Sequence, residues 1–238
     1  MKIIESGRKC NNCSRKNCFI NKCCSEEWKS FLTEHKTTYL FERGEKIFAK
    51  GQQAKGVYTV FSGYIKISDI DDKSERIVDL VTRGHILAHR ALGESVNVYS
   101  VTAESLSESE ITFFSADIFR LAIESNKKLA HFIIDLLTKK LRSVEIRYRN
   151  FQKMHAKEKI ICSLNDIIET FGTEEQDETR LKFSLARKDI AGLAVTTYET
   201  VIRILGDLDK SNYIKIDGKE IKILDRNYFA ENAKRLLN

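Results

Sequence analysis

The chain has 238 residues, enough for one large domain or two ordinary ones that each bury a core. Its 42% hydrophobic and 31% charged residues are typical of globular proteins, and no run of about 18 apolar residues exists to cross a membrane. The net charge of +6 suits a nucleic-acid partner without requiring one. The first residues are too polar for a secretory signal, so we expect a cytoplasmic location, where thiols stay reduced.

Five of the six cysteines lie close together near the start, in the stretch KCNNCSRKNCFINKCC. Cys10 and Cys13 form a C-x2-C pair, Cys18 follows, and Cys23 and Cys24 close the run. In a reducing compartment this spacing indicates a metal or redox site before a disulfide framework, although an unligated tail is the alternative. We expect the thiol pKa values to be lowered by the flanking basic residues Arg8, Lys9, Arg15, Lys16 and Lys22.

The segment from Tyr39 to Phe114 carries short runs with strand-like alternation, broken by glycines. In GVYTVFSGYIKISDIDDKSERIVDLV, Ile65 and Ile67 alternate with polar residues, and the pair Asp71-Asp72 marks a turn before a second β-rich run. Many short strands at this spacing predict a sandwich or a barrel.

From about Asn126 the hydrophobic period becomes that of one long helix. Apolar residues recur at steps of four and three along a heptad seam: Ala130, Ile134, Leu137, Leu141, Val144, Tyr148 and Phe151. We favour a parallel contact between two copies of the chain over packing within one chain, because the other faces are basic. The predicted dimer interface consists of Ile134, Leu137, Leu141, Val144 and Tyr148.

The helical pattern continues through about Phe171, and the polar stretch GTEEQDETR then forms a loop. Near the end of the chain, YIKIDGKEIKIL places Asp217-Gly218 between two alternating strands, which predicts a hairpin with a type I′ turn. The unit between the loop and the hairpin is helical, so the C-terminal part combines helices with a hairpin.

That helical unit is RKDIAGLAVTTYETVIRILGDLDKSNYI. Its first half predicts a short helix with three apolar side chains inward, Ile190, Leu193 and Ala194. Thr196 and Glu199, three residues apart, predict a capping box at the start of a second helix. Two helices joined by a tight turn and followed by a hairpin make a winged helix-turn-helix.

The second helix presents a chemically specific face. With the apolar Val201, Leu205 and Leu208 inward, the outward residues of its first turns are Tyr198, Glu199, Ile202 and Arg203. Arginine can donate two hydrogen bonds to guanine and glutamate can accept one from cytosine, so Glu199 and Arg203 together could read a G·C step. The alternative is a surface ion pair, worth about 0.3 to 0.5 kcal/mol. The helix start, the inward set and the hairpin favour DNA reading.

RKDIAGLAVTTYETVIRILGDL resembles the helix-turn-helix of the CRP/FNR transcription regulators, and GEKIFAKGQQAKGVYTVFSGYIKI resembles their sensory β-roll. The resemblance implies an α+β fold with an N-terminal double-stranded β-helix (a cyclic-nucleotide-binding-like β-roll), a long dimerisation helix and a C-terminal winged helix-turn-helix. The expected boundaries are 1–27 for the cysteine-rich segment, 28–125 for the roll, 126–153 for the dimerisation helix and 154–238 for the DNA-binding domain.

By the same resemblance, Thr197 would touch phosphate, Glu199 and Arg203 would read a G·C pair, and Tyr198 and Ile202 would modulate neighbouring bases. The full DNA-binding set is Thr196, Thr197, Tyr198, Glu199, Thr200, Ile202 and Arg203. Two positions depart from the family pattern. Val195 replaces a glycine at a turn position that needs positive φ, where a β-branched residue is costly, and Ala186 replaces a Ser/Thr helix cap.

Cyclic-nucleotide members of the family carry a Gly-Glu-Leu segment and a later Arg-Ser pair, which hold the cyclic phosphate. Here Val98, Tyr99 and Ser100 lie where Arg-Ser is expected, which argues against cyclic AMP. Another anionic effector could bind His89 and Arg90 beside His85.

Members similar to FNR hold an iron–sulfur cluster with N-terminal cysteines and one cysteine of the roll. Here Ile111 stands at that roll position, so Cys23 or Cys24 would replace the missing thiolate. We take Cys10, Cys13, Cys18 and Cys23 as the candidate ligands. An iron–sulfur cluster, zinc and no metal all remain open. Cys162, alone on a predicted helix, is expected to be a buried core thiol.

The sequence therefore predicts a homodimeric, sequence-specific transcription regulator that reads a palindromic operator, under a redox or oxygen signal or a small effector. Its expected partners are double-stranded DNA, a second copy of the chain and RNA polymerase. One alternative is a regulator without metal that answers to a small anionic ligand, and another is a regulatory module that binds no DNA. An enzyme is not expected, because a cupin-type metal site needs clustered ligands and the five histidines (35, 85, 89, 131, 155) are scattered.

Overall fold

A computed structural model describes residues 1–4, 9–10, 13, 18–71, 74–93 and 98–237, with the side chains at 90 and 91 outside that description. The chain divides into two compact units, one made of residues 1–70 and 81–140 and the other of residues 71–80 and 141–238. No helix within the described ranges is long and apolar enough to span a bilayer.

The elements up to residue 151 are β1 (Lys2–Ile3), α1 (Phe19–Cys23), α2 (Glu26–Glu34), β2 (Lys36–Phe41), β3 (Lys46–Phe48), β4 (Gly56–Ser62), β5 (Tyr64–Ile70), β6 (Glu75–Thr82), β7 (Ile86–Leu87), a 3₁₀ helix (His89–Leu92), β8 (Thr102–Ser105), β9 (Ser109–Ser115), α3 (Ala116–Ser125) and α4 (Lys127–Phe151). They are followed by α5 (Ala156–Phe171), α6 (Arg187–Ala194), α7 (Tyr198–Lys210), β10 (Ile214–Asp217), β11 (Glu220–Ile223) and α8 (Arg226–Leu237).

The strands before α3 form two antiparallel sheets, as expected for a roll. One sheet has the order β1-β2-β9-β4-β7 and the other the order β3-β8-β5-β6. The apolar faces meet in a core that includes the fully buried Phe41, Ile65 and Ile111. On β5 the polar residues between the isoleucines are buried as well, and the Lys66 ammonium lies 3.5 Å from the Glu104 carboxylate.

The predicted long helix is present as α4, which ends at Phe151. The helical pattern is interrupted there, rather than continuous through Phe171, and α5 restarts after His155, whose backbone N–H donates to the Glu158 carboxylate at 2.8 Å. Leu129 and Ile133 of α4 are buried within the first unit. The seam residues point elsewhere and are 40 to 71% exposed: Ile134, Leu137, Leu141, Val144 and Tyr148.

In the second unit, α6 and α7 each bury one apolar face. The residues predicted to face inward are at most 1% exposed: Ile190, Leu193, Ala194, Val201, Leu205 and Leu208. Cys162 of α5 is 1% exposed, which confirms the prediction of a core thiol. The hairpin β10–β11 is present, but Asp217 pairs with Glu220, so the two loop residues are Gly218 and Lys219.

The hairpin turn is therefore one residue later than predicted. Gly218 stands first in the loop with φ +56°, and a glycine at that position is typical of a type II′ turn rather than the predicted type I′. The cause is that Asp217 continues the ladder of β10, which leaves the positive φ to the glycine alone.

Candidate DNA-reading helix and cysteine cavity

A tight turn joins α6 to α7, and Val195 lies at its centre. Val195 has φ 50° and ψ 55°, in the left-handed region, and the next backbone N–H, of Thr196, donates to the Ala191 carbonyl at 3.0 Å. This bond closes the end of α6. The prediction of a positive φ at this position is confirmed, and a side chain there costs roughly 1 to 2 kcal/mol relative to glycine.

The start of α7 differs from the prediction. Thr197, not Thr196, is the N-cap, and its hydroxyl accepts a hydrogen bond from the Thr200 N–H at 3.3 Å. Because Thr196 is still engaged in closing α6, the second helix begins one residue later, and the predicted Thr196–Glu199 capping box does not form between these described residues. At the start of α6 the N-cap is Ala186, whose methyl group cannot accept a hydrogen bond.

The outward face of α7 is accessible. Tyr198 is 51% and Ile202 45% exposed, and Glu199 and Arg203 are also exposed. Of the other proposed DNA contacts, Thr197 is exposed, while Thr196 and Thr200 are half-buried. One short helix thus presents an acceptor, a cationic donor, an aromatic ring and an aliphatic side chain to solvent from its first two turns.

Arg187 links the first helix of this unit to the hairpin, a role that sequence reasoning missed. Its guanidinium donates to the backbone carbonyls of Gly218 (3.3 Å), Lys219 and Glu220 (3.2 Å), around the hairpin turn. Burial lowers the pKa of this guanidinium. The contacts keep the wing against the start of α6, and no local pattern in the sequence could have indicated them.

Gly192 of α6 is a second feature without a sequence signal. A Cβ built on Gly192 would lie 2.9 Å from the Glu75 carbonyl oxygen and 3.5 Å from Cγ1 of Ile77, both in β6. Ile77 is 2% exposed. Residues 75–77 and the helix-turn-helix belong to the same compact unit, so this close approach is part of that unit's packing.

A cavity of about 500 Å³ lies beside the cysteine segment. Three of the candidate metal ligands line it, Cys10, Cys13 and Cys18, and the ammonium of Lys36 lies 3.8 Å from Cys10 Sγ. Much of the remaining wall comes from the strands and the turn before β7: Thr38, Thr59, Val60, Phe61, Arg83, Gly84, Glu110, Thr112 and Phe114. Thiols and cations therefore share one recess.

The other two cysteines of the run lie outside this recess. Among the described residues Cys23 is not part of its lining, and Cys24 is 8% exposed in the core of the first unit. Burial raises the pKa of Cys18 and of Cys23, and that of Cys24 to about 12. The predicted lowering is therefore wrong for these three thiols, because the loss of water on burial outweighs the backbone hydrogen bonds to Cys18 and the lysine charges near Cys23 and Cys24.

Of the basic residues invoked for that effect, Arg8, Arg15 and Lys16 lie outside the described residues, as does Asp72 of the predicted turn. Within the part of the chain that the structure describes, no three His, Cys, Asp or Glu side chains are close enough together to hold a metal ion. The candidate ligands thus share a cavity without forming a coordination shell.

Tyr99, which lies in the stretch where the family resemblance predicts an Arg-Ser pair, packs in the core of the roll. Tyr99 is 6% exposed, and its hydroxyl donates to the Gly56 carbonyl and accepts from the Lys55 N–H, each at 3.2 Å. The ring of Phe48 lies 4.3 Å from that of Tyr99, and Tyr58 packs beside both. These rings fill part of the roll interior.

The candidate effector residues lie in and beside the 3₁₀ helix after β7. His89 is half-buried, and the Arg90 side chain lies outside the described residues. His85 Nδ1 lies 2.8 Å from the Thr82 carbonyl.

Comparison with known proteins identifies the family. Residues 40–126 match the cyclic nucleotide-binding domain family, and residues 127–231 match the Crp-like helix-turn-helix domain family. The chain belongs to the CRP/FNR family. It is a transcription regulator with a helix-turn-helix DNA-binding domain, not an enzyme.

Two curated relatives and one solved structure illustrate the likeness. The chain is 26% identical to the regulatory protein HlyX of Actinobacillus pleuropneumoniae, over 87% of this chain and 88% of that protein. It is 25% identical to the electron transport regulator A of Shewanella oneidensis, over 81% and 78%. The fold of FixK2 from Bradyrhizobium japonicum matches with a TM-score of 0.71 at 18% identity, over 82% and 96%.

Proposed function

We propose that this CRP/FNR regulator binds a palindromic operator as a homodimer and reads it with the exposed face of α7. The observation that carries the proposal is the arrangement of Glu199 and Arg203, one helical turn apart and both exposed, on a helix whose start is capped by Thr197. Arg203 would donate to guanine and Glu199 would accept from cytosine, while Thr197 would contact phosphate. Tyr198 and Ile202 would contact the neighbouring bases.

The dimer would form through the seam of α4. An apolar stripe that is 40 to 71% exposed in one chain needs cover, and a helix with residues at heptad positions is suited to a second copy of itself. A two-fold dimer places its two recognition helices about 34 Å apart, so the half-sites should lie about 10 to 10.5 base pairs from centre to centre. RNA polymerase is the expected further partner, and the cytoplasm is the expected location.

The cysteine cavity is the proposed entry point of a redox or oxygen signal. Iron–sulfur clusters and zinc both bind thiolate sulfur. The three thiols that line this cavity are therefore the right type of ligand for either group. Cys10, Cys13 and Cys18 would hold it, with Cys23 as the fourth candidate. Lys36 and Arg83 of the wall would offset its negative charge. When bound, an iron–sulfur cluster supplies sensitivity to oxygen and to redox potential.

A small anionic effector is the second candidate for the signal. It would bind near His89 and Arg90 rather than in the interior of the roll, since Tyr99 and its aromatic neighbours occupy part of that interior. The same packing supports the expectation that cyclic AMP is not the effector.

The DNA proposal is tested by selecting sequences from random duplexes with the full chain and measuring affinity at several salt concentrations. A palindromic consensus, bound tightly at a salt concentration that abolishes binding to random DNA, is the expected result. Recovery of no consensus, or equal loss of both affinities with salt, would support a regulatory module without sequence-specific DNA binding.

The dimer is tested with two substitutions two residues apart on α4. Leu141→Asp places a charge on the seam, whereas Ser143→Asp places it on an exposed position off the seam. Two lost leucine contacts per dimer should weaken association by about 3 to 6 kcal/mol, and Ser143→Asp should change it little. Sedimentation measures both, and an unchanged dimer in Leu141→Asp would exclude the seam as the interface.

The signal is tested by strictly anaerobic purification, with iron, sulfide and zinc quantified per chain. The proposal expects iron and sulfide, lost in Cys13→Ser and retained in Cys162→Ala, which removes a buried thiol elsewhere. Zinc alone would make the segment a structural site. If the chain is purified without any metal and still binds DNA fully, a small effector would be the signal instead.

A further inference from the structure

One arginine of α4 joins three helices of the second unit. Arg147 Nη1 lies 2.6 Å from Asp166 Oδ2 of α5, and Nη2 donates to the Leu193 carbonyl of α6 at 3.0 Å. The guanidinium carbon also lies 4.5 Å from the ring centroid of Phe151, near the end of the same helix. The dimerisation helix is thus bonded both to the helix that follows it and to the first helix of the helix-turn-helix.

The chemistry of these contacts makes them directional. A guanidinium is a planar fork with fixed donor directions, so two bonds to different helices determine the angle between those helices better than one flexible ammonium could. The Leu193 carbonyl belongs to the last turn of α6, where carbonyls have no partner further along the helix. Arg147 supplies a hydrogen-bond donor to this carbonyl, and Leu193 lies two residues before the turn at Val195.

The contacts are also partly shielded from water. The side chain of Arg147 is 29% and that of Asp166 34% exposed, so the pair is less screened than an ion pair on the open surface. Arg147 points toward α5 and α6, while the predicted interface residues Val144 and Tyr148, on either side of it in sequence, remain exposed. One short segment of α4 therefore carries the proposed dimer contact on one face and the link to α5 and α6 on another.

We propose that Arg147 is a positioning residue that fixes the recognition helix relative to the dimer seam, and so sets the half-site spacing that the dimer accepts. The inference rests on the proposed dimeric DNA reading. In a two-fold dimer the separation of the recognition helices depends on where each α7 lies relative to the seam. An element that holds α6, and through the turn α7, against α4 therefore selects one separation.

The test measures operator affinity of the full chain against duplexes in which the half-site spacing is varied one base pair at a time. Arg147→Gln removes both bonds, and Arg147→Lys keeps a charge for Asp166 but lacks the fork. Arg149→Gln is the matched control, since Arg149 is an exposed arginine on the same helix. Affinity for a single half-site and the thermal unfolding midpoint are measured in parallel.

We expect Arg147→Gln to reduce the preference for the best spacing by about tenfold while half-site affinity is retained. Arg147→Lys should fall between it and the wild type, and Arg149→Gln should match the wild type. A spacing preference that is unchanged in Arg147→Gln, or equally reduced in Arg149→Gln, would overturn the proposal. If Arg147→Gln does not fold, the comparison of Arg147→Lys with Arg149→Gln decides by the same criterion.

A second measurement separates this proposal from the proposed DNA function. Hydrogen exchange of residues 187–197 in the free protein should be faster in Arg147→Gln than in Arg149→Gln, because α6 loses its bond to α4. If the wild type binds no operator but this difference appears, DNA reading fails and the positioning role of Arg147 on α6 stands. Equal exchange in the two variants would refute the positioning role.

Discussion

The proposed reading face of α7 comes from six consecutive residues, Tyr198 to Arg203, whereas the walls of the cysteine cavity come from the N-terminal segment, α1 and strands β2, β4 and β9. The first is determined by the local periodicity of one helix and by a cap, Thr197, that immediately precedes it. The second depends on segments that lie about a hundred residues apart in the sequence. The residues of a site on one helix can be identified from the sequence. For a site assembled from distant segments, the sequence indicates the type of ligand but not which residues come together.

The burial of the two sites differs in the same way. The α7 side chains proposed to read bases are exposed, so their ordinary chemistry is available: Tyr198, Glu199, Ile202 and Arg203. By contrast, Cys18 on the cavity and Cys24 in the core of the same unit are shielded from water, and burial raises the pKa of both thiols.

The largest effect is expected for the reactivity of Cys24. With a pKa of about 12 in place of 9.0, this thiol carries about 10³-fold less thiolate near pH 8, and alkylation should be slower in proportion. The rate should rise about tenfold per pH unit, because the thiolate fraction does. Mass spectrometry of metal-free protein treated with iodoacetamide measures it, with Cys162, whose pKa burial also raises to about 12, as the control.

Rapid alkylation of Cys24 together with slow alkylation of Cys162 would contradict this account of the first unit. It would mean that the basic residues of the N-terminal segment activate the thiol despite its burial, as the sequence alone suggests.

The next effect concerns base reading by α7. Arg203→Ala should weaken binding to the selected operator by about 1 to 3 kcal/mol and relax the base preference at one position in each half-site. Arg226→Ala is the control, because Arg226 is an exposed arginine of the same unit that pairs with Glu169 at 2.9 Å. Fluorescence anisotropy with the operator and with variants of one base pair measures both; an equal loss on operator and random DNA would assign Arg203 to phosphate instead.

Much of the fold was predictable from the sequence, since its signals are periodic. The strand alternation, the heptad seam and the inward set of α7 each repeat over several residues, so a single misplaced residue does not remove them. Boundaries were harder. The start of α7 and the turn at Gly218 were each displaced by one residue, because closing hydrogen bonds of the preceding element occupied Thr196 and Asp217.

The contacts that could not be predicted join distant segments. No local sequence pattern indicates three such contacts: Arg147 with the Leu193 carbonyl, Arg187 with the wing, and Gly192 with β6. Five cysteines in one run predict a common site, but only the structure shows that three of them line the cavity and that Cys23 and Cys24 do not. Each such contact depends on the packed arrangement of several elements, which periodicity does not specify.

A third prediction compares the glycines of the two helices of the helix-turn-helix. Alanine stabilises a helix by about 1 kcal/mol relative to glycine, and among the described residues no heavy atom lies within 4 Å of a Cβ built on Gly206. Gly206→Ala should therefore raise the free energy of unfolding by about that amount. Gly192→Ala should lower it by about 1 kcal/mol, because overpacking against the Glu75 carbonyl costs more than the helix gains.

Urea unfolding measures both glycine variants. If Gly192→Ala also raises the free energy of unfolding, β6 moves aside from α6 at little cost. Helix propensity would then determine the stability effect at this position as it does at Gly206.

The smallest effect is expected at Val195, the most local feature of all. Val195→Gly removes the strain of a left-handed valine, roughly 1 to 2 kcal/mol, but adds freedom to the unfolded chain, so the free energy of unfolding should rise by about 0.5 to 1 kcal/mol. Val78→Gly is the control, since Val78 is similarly exposed (43% against 46%) but lies in strand β6. There the substitution relieves no strain and should destabilise. A loss of stability in Val195→Gly would mean that contacts of the valine side chain outweigh its backbone strain, which would make this turn, too, an assembled feature of the second unit.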